Sequence, residues 1–156
     1  MKYSQSTQIA IESLFFMAAH PEKTDFAVDE VAEAQHVSAS YLAKLFQQLV
    51  KSGLLRSHRG AKGGYALGRP LREITLLDIA LVFEGSSPMY DCNAVTKNCN
   101  LSTHCVIVKT FREAEEKMNE VLRSVNLETV MQQMKGRAHE AEWLKVPREE
   151  KVVVSS

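Results

Sequence analysis

The chain lacks long apolar runs and any surplus of charge of either sign. Its 156 residues include 19 Lys and Arg against 19 Asp and Glu, so the formal net charge is zero. No stretch approaches the roughly 18 uncharged apolar residues of a membrane span, and residues 1–16 lack the basic and apolar regions of a secretory signal. We therefore expect a cytoplasmic protein. Its 45% apolar residues can supply the core of one compact domain, or of a small domain with a long helix.

Cysteine is also scarce. The three cysteines, Cys92, Cys99 and Cys105, fall within a segment of 14 residues. An odd number of cysteines cannot form a closed disulfide framework, and cytoplasmic thiols are normally kept reduced. Thiolates in one polar loop can instead bind a common soft metal centre. The sequence therefore favours metal binding or redox chemistry at these positions.

The zero net charge hides an uneven distribution of charged residues. Residues 1–36 contain six Asp and Glu against two Lys and Arg, whereas residues 37–72 contain seven Lys and Arg and no acid. Solvated protein faces usually mix both signs of charge. The acid-free block therefore predicts a polyanionic partner, and nucleic acid is favoured. Its cations are Lys44, Lys51, Arg56, Arg59, Lys62, Arg69 and Arg72.

Helical periodicity in the first third of the chain predicts a helix-turn-helix. A core helix is predicted over residues 5–19, a short helix over 28–36, and a third over 39–52, capped by Ser38 and ended by Gly53. The third helix has a buried stripe at positions 42, 45, 46, 49 and 50. The opposite side is polar and basic, as a recognition helix requires. Its predicted outward residues are Ser40, Tyr41, Lys44, Gln47, Gln48 and Lys51.

A β-hairpin is predicted to follow. Residues 54–58 and 65–67 have the pattern of strands, and the glycine-rich turn between them lacks both the spacing of a nucleotide-binding P-loop and a following helix. The turn therefore fits a DNA-contacting wing, and an ordinary hairpin with incidental charge is the alternative. The predicted DNA-binding residues are Ser38, Ser40, Tyr41, Lys44, Arg59, Lys62 and Gly63.

Downstream of the wing, a capping box at Thr75 and Asp78 predicts a helix that ends at Glu84. Residues 86–101 are polar and form a predicted exposed loop. Residues 102–125 then repeat apolar residues in steps of four and three, which favours a long helix that packs against a second copy of the chain. These apolar positions are Ile107, Phe111, Ala114, Met118, Val121 and Val125.

The predicted fold is mainly α, a winged helix-turn-helix with a small β-hairpin wing and a long dimerisation helix. Residues 1–85 are the predicted DNA-binding domain, and 86–101 the cysteine-bearing sensor loop. Residues 102–134 include the dimerisation helix and a short helix from 127. The tail, 135–156, is expected to be partly disordered.

The order of motifs resembles the IscR, NsrR and RirA group of bacterial transcription regulators. The motifs are V-D-E-V-A (28–32), V-S-A-S-Y-L (37–42), R-G-A-K-G-G-Y-A-L-G-R-P (59–70), I-T-L-L-D-I (74–79) and then the three cysteines. The resemblance implies that Cys92, Cys99 and Cys105 hold a 2Fe-2S or 4Fe-4S cluster. It also implies a homodimeric DNA-binding regulator, predicted here as a repressor, whose operator affinity responds to nitric oxide, iron or cluster status, or redox state.

The resemblance leaves the fourth cluster ligand open. NsrR-like proteins use an acidic residue of the partner's first helix where this chain has Gln8, and IscR-like proteins use a histidine where it has Val108. Neither position keeps its ligand. The remaining candidates are Glu12, Asp91 and His104, or an external ligand such as water or a small thiol.

Two other functions fit the same cysteines. Zinc bound by the three cysteines and His104 would have the three sulfur and one nitrogen ligands that suit tetrahedral coordination, although the gaps between them are wide. Alternatively, a cluster-free thiol switch could form a disulfide on oxidation. An enzyme is not expected, because no acid-base constellation or cofactor-binding loop accompanies His104 and Cys105.

Overall fold

The computed structural model describes residues 2–58, 63–92 and 105–135, together with Arg137 and Leu144. Within these residues the protein has six α-helices and one two-stranded hairpin, which confirms the predicted fold class. The elements are α1 (Gln5–Ala18), α2 (Val28–Ala34), α3 (Ala39–Lys51), β1 (Leu55–His58), β2 (Gly64–Leu67), a 3-10 turn (Leu71–Glu73), α4 (Leu76–Glu84), α5 (Val106–Ser124) and α6 (Leu127–Gln133). No helix in the described ranges is long and apolar enough to cross a bilayer.

Helix α1 lies at the centre of the core. Its N-terminus is capped by Ser4, whose hydroxyl accepts a hydrogen bond from the Thr7 amide at 3.3 Å. Leu14 and Phe16 are fully buried, and α1 packs against α3, α4, α6 and β2. Burying an apolar side chain of this size stabilises the fold by about 1.5–3 kcal/mol. Helix α1 therefore connects the other elements through its apolar surface.

Helices α2 and α3 form the predicted helix-turn-helix. The turn between them passes through His36, whose φ of 53° is in the left-handed region. This conformation lets the Val37 amide donate to the Ala32 carbonyl at 3.0 Å and closes the end of α2. Ser38 then begins α3 by accepting from the Tyr41 amide at 3.3 Å. The cap predicted at Ser38 is confirmed.

The base of the hairpin is held against the helical core. Strands β1 and β2 pair antiparallel from Leu55 opposite Leu67 to His58 opposite Gly64. Phe26 extends this pairing, since its amide and carbonyl each hydrogen-bond Tyr65 at 2.8 Å. A Cβ atom on Gly64 would lie 2.9 Å from the Phe26 carbonyl oxygen, so glycine permits this approach. The turn of the predicted wing, residues 59–62, lies outside the described residues.

The capping box that opens α4 is confirmed. The Thr75 hydroxyl accepts from the Asp78 amide at 3.1 Å, and the Asp78 carboxylate accepts from the Thr75 amide at 2.9 Å. The chain leaves α4 at Gly85, whose φ is 74°. An antiparallel bridge between Thr75 and Asn126 then fixes the start of α4 to the junction of α5 and α6.

Helix α5 lies on the surface of the described structure, and none of its residues is buried. Its predicted first residues, 102–104, lie outside the described range, which resumes at Cys105. The predicted single apolar stripe is divided between two faces. Met118 is half-buried beside α4, whereas Ile107, Ala114 and Val121 are exposed at intervals of seven residues. Most of the tail predicted to be disordered lies outside the described residues, although Leu144 packs in the core.

Candidate nucleic-acid interface and cysteine site

The rotation of α3 is fixed by its buried side. Leu42, Phe46 and Leu49 are fully buried, and the Phe46 ring packs edge-on against Tyr65 with the centroids 4.9 Å apart. This packing turns the polar side of α3 to the surface. The exposed residues are Ser40, Lys44, Gln47, Gln48 and Lys51. The last three extend the predicted contact surface, and their helical spacing with Ser40 and Lys44 is the signal that identifies them.

Helical periodicity predicts that Tyr41 points outward, but the structure shows that it does not point freely into solvent. The side chain is half-buried, its ring packs against the core, and its hydroxyl is hydrogen-bonded to the Ser6 hydroxyl at 3.0 Å. Position 41 lies at the edge of the buried stripe, and the nearby N-terminus of α1 provides a polar partner. Ser38, another predicted DNA contact, is exposed while its hydroxyl caps α3.

The surface around α3 is positively charged. In the described part of the chain, Lys44, Lys51 and Arg56 make no ion pair with a carboxylate. Arg69 donates from Nη2 to the Ser52 carbonyl at 2.9 Å, at the C-terminal end of α3, where a cation is favourable. Cations without a carboxylate partner can neutralise phosphates of a nucleic acid.

The predicted wing contacts are only partly described. Gly63 is exposed at the turn end of the hairpin, next to the strand pair of His58 and Gly64. Arg59 and Lys62 lie outside the described residues. The hairpin begins next to the C-terminal end of α3, because the Leu54 amide donates a hydrogen bond to the Leu49 carbonyl at 2.9 Å.

The segment that follows α4 places Cys92 along the flank of α5. The Tyr90 ring stacks on Phe111 with the centroids 4.7 Å apart and an interplanar angle of 14°. The Met89 amide donates to Glu115 Oε2 at 3.4 Å. These two contacts hold the residues that precede Cys92, a half-buried cysteine, against the long helix.

Cys92 lines a cavity of about 130 Å³ beside α5. Asp91, Val108, Arg112 and Glu115 line the same cavity. Cys105 is half-buried at the N-cap position of α5, three residues before Val108. Since three residues are less than one helical turn, Cys92 and Cys105 lie near the same end of α5. Cys99 and His104 lie outside the described residues.

The candidates for the fourth cluster ligand differ in their position relative to Cys92. Asp91 shares the cavity of Cys92, whereas Glu12 is an exposed residue of α1. Glu115 is not predictable from the sequence as a neighbour of Cys92, because it lies 23 residues later and only the packing of the two segments brings them together. Among the residues that the structure describes, no group of three His, Cys, Asp or Glu side chains is arranged to hold a metal. Cysteine thiolates are the residue type that iron-sulfur clusters and zinc use as ligands, and Cys92 has the Asp91 and Glu115 carboxylates in its cavity.

A hydrogen-bonded carboxylate joins α4 to α1. The Glu84 carboxylate accepts from the Thr7 hydroxyl, from the Ser4 hydroxyl at 2.7 Å and from the Ser4 amide at 2.8 Å. These hydrogen bonds lower the pKa of the Glu84 carboxyl below its usual value. The bond from the Thr7 hydroxyl has the largest effect, and the bonds from Ser4 follow. Burial, and then the charge of Glu84, raises the pKa of the Tyr3 phenol. Glu84 thus fixes the C-terminal end of α4, from which the chain continues toward Cys92, to the start of α1.

Comparison with known proteins agrees with this architecture. The model of the Rrf2 family, described as an iron-dependent transcriptional regulator, matches residues 3–133. Protein aau3 of Rhizobium meliloti is 34% identical over 132 residues, which are 84% of this chain and 85% of the relative.

Two solved structures are similar over most of their length. IscR of T. potens is 29% identical with a TM-score of 0.70, covering 88% of this chain and 91% of that one. CymR, the global cysteine regulator of B. subtilis, is 26% identical with a TM-score of 0.66, covering 85% and 98%. These likenesses confirm the winged helix-turn-helix fold and the predicted resemblance to IscR-type regulators. They also confirm that the protein is not an enzyme, because the matching proteins are regulators. The chain therefore belongs to the Rrf2 family of DNA-binding transcriptional regulators.

Proposed function

We propose that the protein is a cytoplasmic, homodimeric repressor whose operator affinity is controlled by an iron-sulfur cluster on Cys92, Cys99 and Cys105. The observation that carries the proposal is the placement of Cys92 and Cys105 at the same end of α5, with Cys92 in a cavity lined by carboxylates. The iron-dependent description of the matching family supports the same chemistry. Sensing of nitric oxide, iron or cluster status, or redox state remains part of the proposal.

The cysteine residues would hold the cluster through their thiolates. When bound, a cluster supplies a centre that oxidation, nitric oxide or iron shortage can alter or remove. Asp91 and Glu115 are the described carboxylates that share the cavity of Cys92 and can act as the fourth ligand. Glu12 of a second copy and His104 remain the other protein candidates. Val108 lines the cavity at the position where IscR-like proteins have their histidine, so this position presents a hydrocarbon side chain.

A continuous set of contacts links the cysteine segment to the recognition helix α3. Glu84 is the last residue of α4 before Gly85, and it accepts hydrogen bonds from Ser4 and Thr7 of α1. The first turn of α1 also contains Ser6, which is hydrogen-bonded to Tyr41 of α3. A change in the cysteine segment can therefore alter the position of α3 through α4 and α1. We expect a coupling free energy of about 1–3 kcal/mol, as is typical of allosteric linkage.

The proposed dimer interface is the exposed apolar stripe of α5. Ile107 is 55% exposed and Val121 is 63% exposed, and Ala114 lies midway between them. A seven-residue apolar repeat matches helix pairing, because it keeps the same side of the helix toward its partner. A second copy of the chain is the occupant that we infer, since a helix-turn-helix regulator commonly uses a dimer to read two half-sites.

Replacing Val121 by Glu tests the dimer. Pairing would bury the new carboxylate of each chain in an apolar interface, and we expect a cost of about 3 kcal/mol, or a roughly hundredfold rise in the dimer dissociation constant. Sedimentation equilibrium measures this constant. Glu116→Lys changes an exposed residue on another face of α5 and serves as the control. An unchanged dissociation constant in Val121→Glu would remove this stripe from the interface.

The DNA contacts follow from the basic surface. We propose that the exposed side of α3, including Ser40 and Lys44, enters the major groove of double-stranded DNA, and that Arg59, Lys62 and Gly63 of the wing contact the backbone or minor groove. The exposure of Ser40, Lys44 and Gly63 supports this arrangement.

The test of function compares the DNA affinity of cluster-bound and cluster-free protein. A binding site would be selected by the protein from random-sequence DNA, and the affinity measured anaerobically before and after removal of the cluster. We expect the two affinities to differ roughly fivefold to 150-fold. Cys92→Ser should bind as the cluster-free form does, whereas Ser87→Ala, a nearby exposed residue, should keep the response. Equal affinities of the two forms would contradict cluster control.

The alternative readings of the cysteines give different results in the same preparation. Stoichiometric zinc without iron or sulfide would indicate the structural zinc site that the sequence leaves open. A metal-free protein that reversibly loses two hydrogens on oxidation would indicate a cysteine thiol switch.

A further inference from the structure

A second cavity, larger than that of Cys92, lies between α4 and α5. Its volume is about 340 Å³, within the range of small-molecule sites. One wall is apolar and consists of Leu77, Ala80 and Leu81 of α4 with Met118 of α5. Leu81 is 44% exposed, so the apolar wall is accessible from solvent.

The polar groups of this cavity give it a negative balance of charge. Glu84 and Glu115 both line it, and Lys2 is the one basic residue among the lining residues. Glu84 is held in place by its hydrogen bonds to Ser4 and Thr7. Glu115 accepts a hydrogen bond from the Met89 amide through Oε2 at 3.4 Å. An apolar wall with fixed carboxylates is complementary to an apolar molecule that carries one positive charge.

The carboxylate side of the cavity is separate from the proposed dimer stripe. Glu115 follows Ala114 directly, and successive residues of an α-helix are about 100° apart around the axis. Glu115 and Asn119 therefore lie on a different face of α5 from Ile107, Ala114 and Val121, whereas Met118, four residues after Ala114, borders that stripe. Pairing of two chains through that stripe leaves the carboxylate side of the cavity facing its own α4.

The same cavity is next to the cysteine segment. Glu115 lines both cavities, and its carboxylate holds the Met89 amide three residues before Cys92. A molecule that contacts Glu115 from the larger cavity will therefore change the environment of the residue that positions this segment. Such a ligand would be a second input to the regulator.

We propose that this cavity binds a small organic cation, a primary amine attached to an apolar body, and that binding acts on the segment before Cys92 through Glu115. Binding of the amine requires no cluster. Its influence on DNA affinity rests on the proposed function, whereas the binding itself does not.

The probes are phenethylamine and hydrocinnamate, which share an aromatic ring and differ in the sign of their charge. Each is titrated into the full-length protein while heteronuclear NMR follows the backbone amides. We expect the amine to bind about tenfold more tightly than the carboxylate, as one favourable charge interaction of about 1.4 kcal/mol predicts. The amide signals of Met89 and Tyr90 should shift as the cavity fills.

Matched variants locate the binding. Glu115→Gln keeps the acceptor for the Met89 amide and removes the charge, so it should weaken amine binding roughly fivefold to tenfold. Glu120→Gln is the control, because Glu120 is an exposed residue of the same helix that pairs with Lys117 at 3.0 Å. Leu81→Trp should block the cavity. No saturable binding of the amine, equal affinity for both probes, or an unaffected Glu115→Gln would overturn the proposal.

A third preparation separates this proposal from the proposed function. In the variant with Cys92, Cys99 and Cys105 all replaced by Ser, the amine should bind as in the wild type although no cluster can form. Loss of amine binding in this variant, with the fold retained, would show that the cavity does not act as an independent site.

Discussion

Replacing Tyr41 by Phe tests how the recognition helix is held on α1. The Tyr41 and Ser6 hydroxyls are hydrogen-bonded at 3.0 Å, and the Tyr41 ring packs against the core. Phenylalanine keeps the ring and removes this hydrogen bond, whose net contribution should be about 0.5–1.5 kcal/mol. For a protein of this length, the change should lower the melting temperature by roughly 2–6 °C.

A double-mutant cycle isolates this hydrogen bond. Tyr41→Phe, Ser6→Ala and the double variant are unfolded with urea at one fixed protein concentration, because dimerisation would make stability depend on concentration. The double variant should lose about 0.5–1.5 kcal/mol less than the sum of the single losses. Ser40→Ala, an exposed neighbour, should change stability by less than about 0.5 kcal/mol.

The same variant separates a structural role of Tyr41 from a DNA contact. If the hydroxyl acts only through Ser6, Tyr41→Phe should preserve the preference among selected DNA sites. A variant that is as stable as the wild type but prefers different sites would show that the Tyr41 hydroxyl contacts DNA, as helical periodicity predicts. Additive losses in the cycle would refute the contribution of the hydrogen bond to stability.

Two further predictions concern the packing of the wing and the dependence on pH. Gly68→Ala should destabilise the fold by more than about 2 kcal/mol in urea unfolding, because its Cβ would lie 2.4 Å from the Gly53 carbonyl oxygen; a loss under about 0.5 kcal/mol would contradict this. Because the pKa of Glu84 is lower in the folded state than its ordinary value of 4.5, the ionised carboxylate stabilises the fold at a pH above 4.5. This stabilisation is lost as the pH falls through the folded-state pKa. The wild type should therefore exceed Glu84→Gln in stability at pH 7, with a gap that narrows below pH 4.5. A gap that is constant with pH would show that the carboxylate charge is not involved.

Local features of the fold could be predicted from the sequence because their causes lie within a few residues. Ser38 caps α3, and Thr75 with Asp78 forms the capping box of α4, as the sequence predicted. Four of the five residues in the predicted apolar stripe of α3 are buried, and the fifth, Val50, is half-buried. In each case the hydrogen bond or the packing repeats along one helix.

The contacts that join distant segments could not be predicted in this way. The bonds between Ser4 and Glu84 cross 80 residues, and the Ser6–Tyr41 bond crosses 35. A helical pattern predicts which residues share a face, but it does not identify which element covers that face. For this reason the apolar positions of α5 were predicted as one stripe, whereas α4 covers Met118 and leaves Val121 exposed.

The cysteine site shows the same limit. Its ligands were predicted from residue type and spacing, and its neighbours Arg112 and Glu115 depend on how the segment after α4 packs on α5. Thiolates identify a soft metal centre wherever they occur together in sequence. The surrounding charges that tune such a centre are brought to it only by folding.

Anaerobic purification, followed by the visible spectrum and assays of iron and acid-labile sulfide, tests whether the protein holds an iron-sulfur cluster. We predict a brown protein that contains both elements, and a Cys92→Ser variant that loses the colour while keeping the helical fold. A colourless wild-type protein without iron and sulfide, purified under the same conditions, would contradict the assignment of an iron-sulfur regulator.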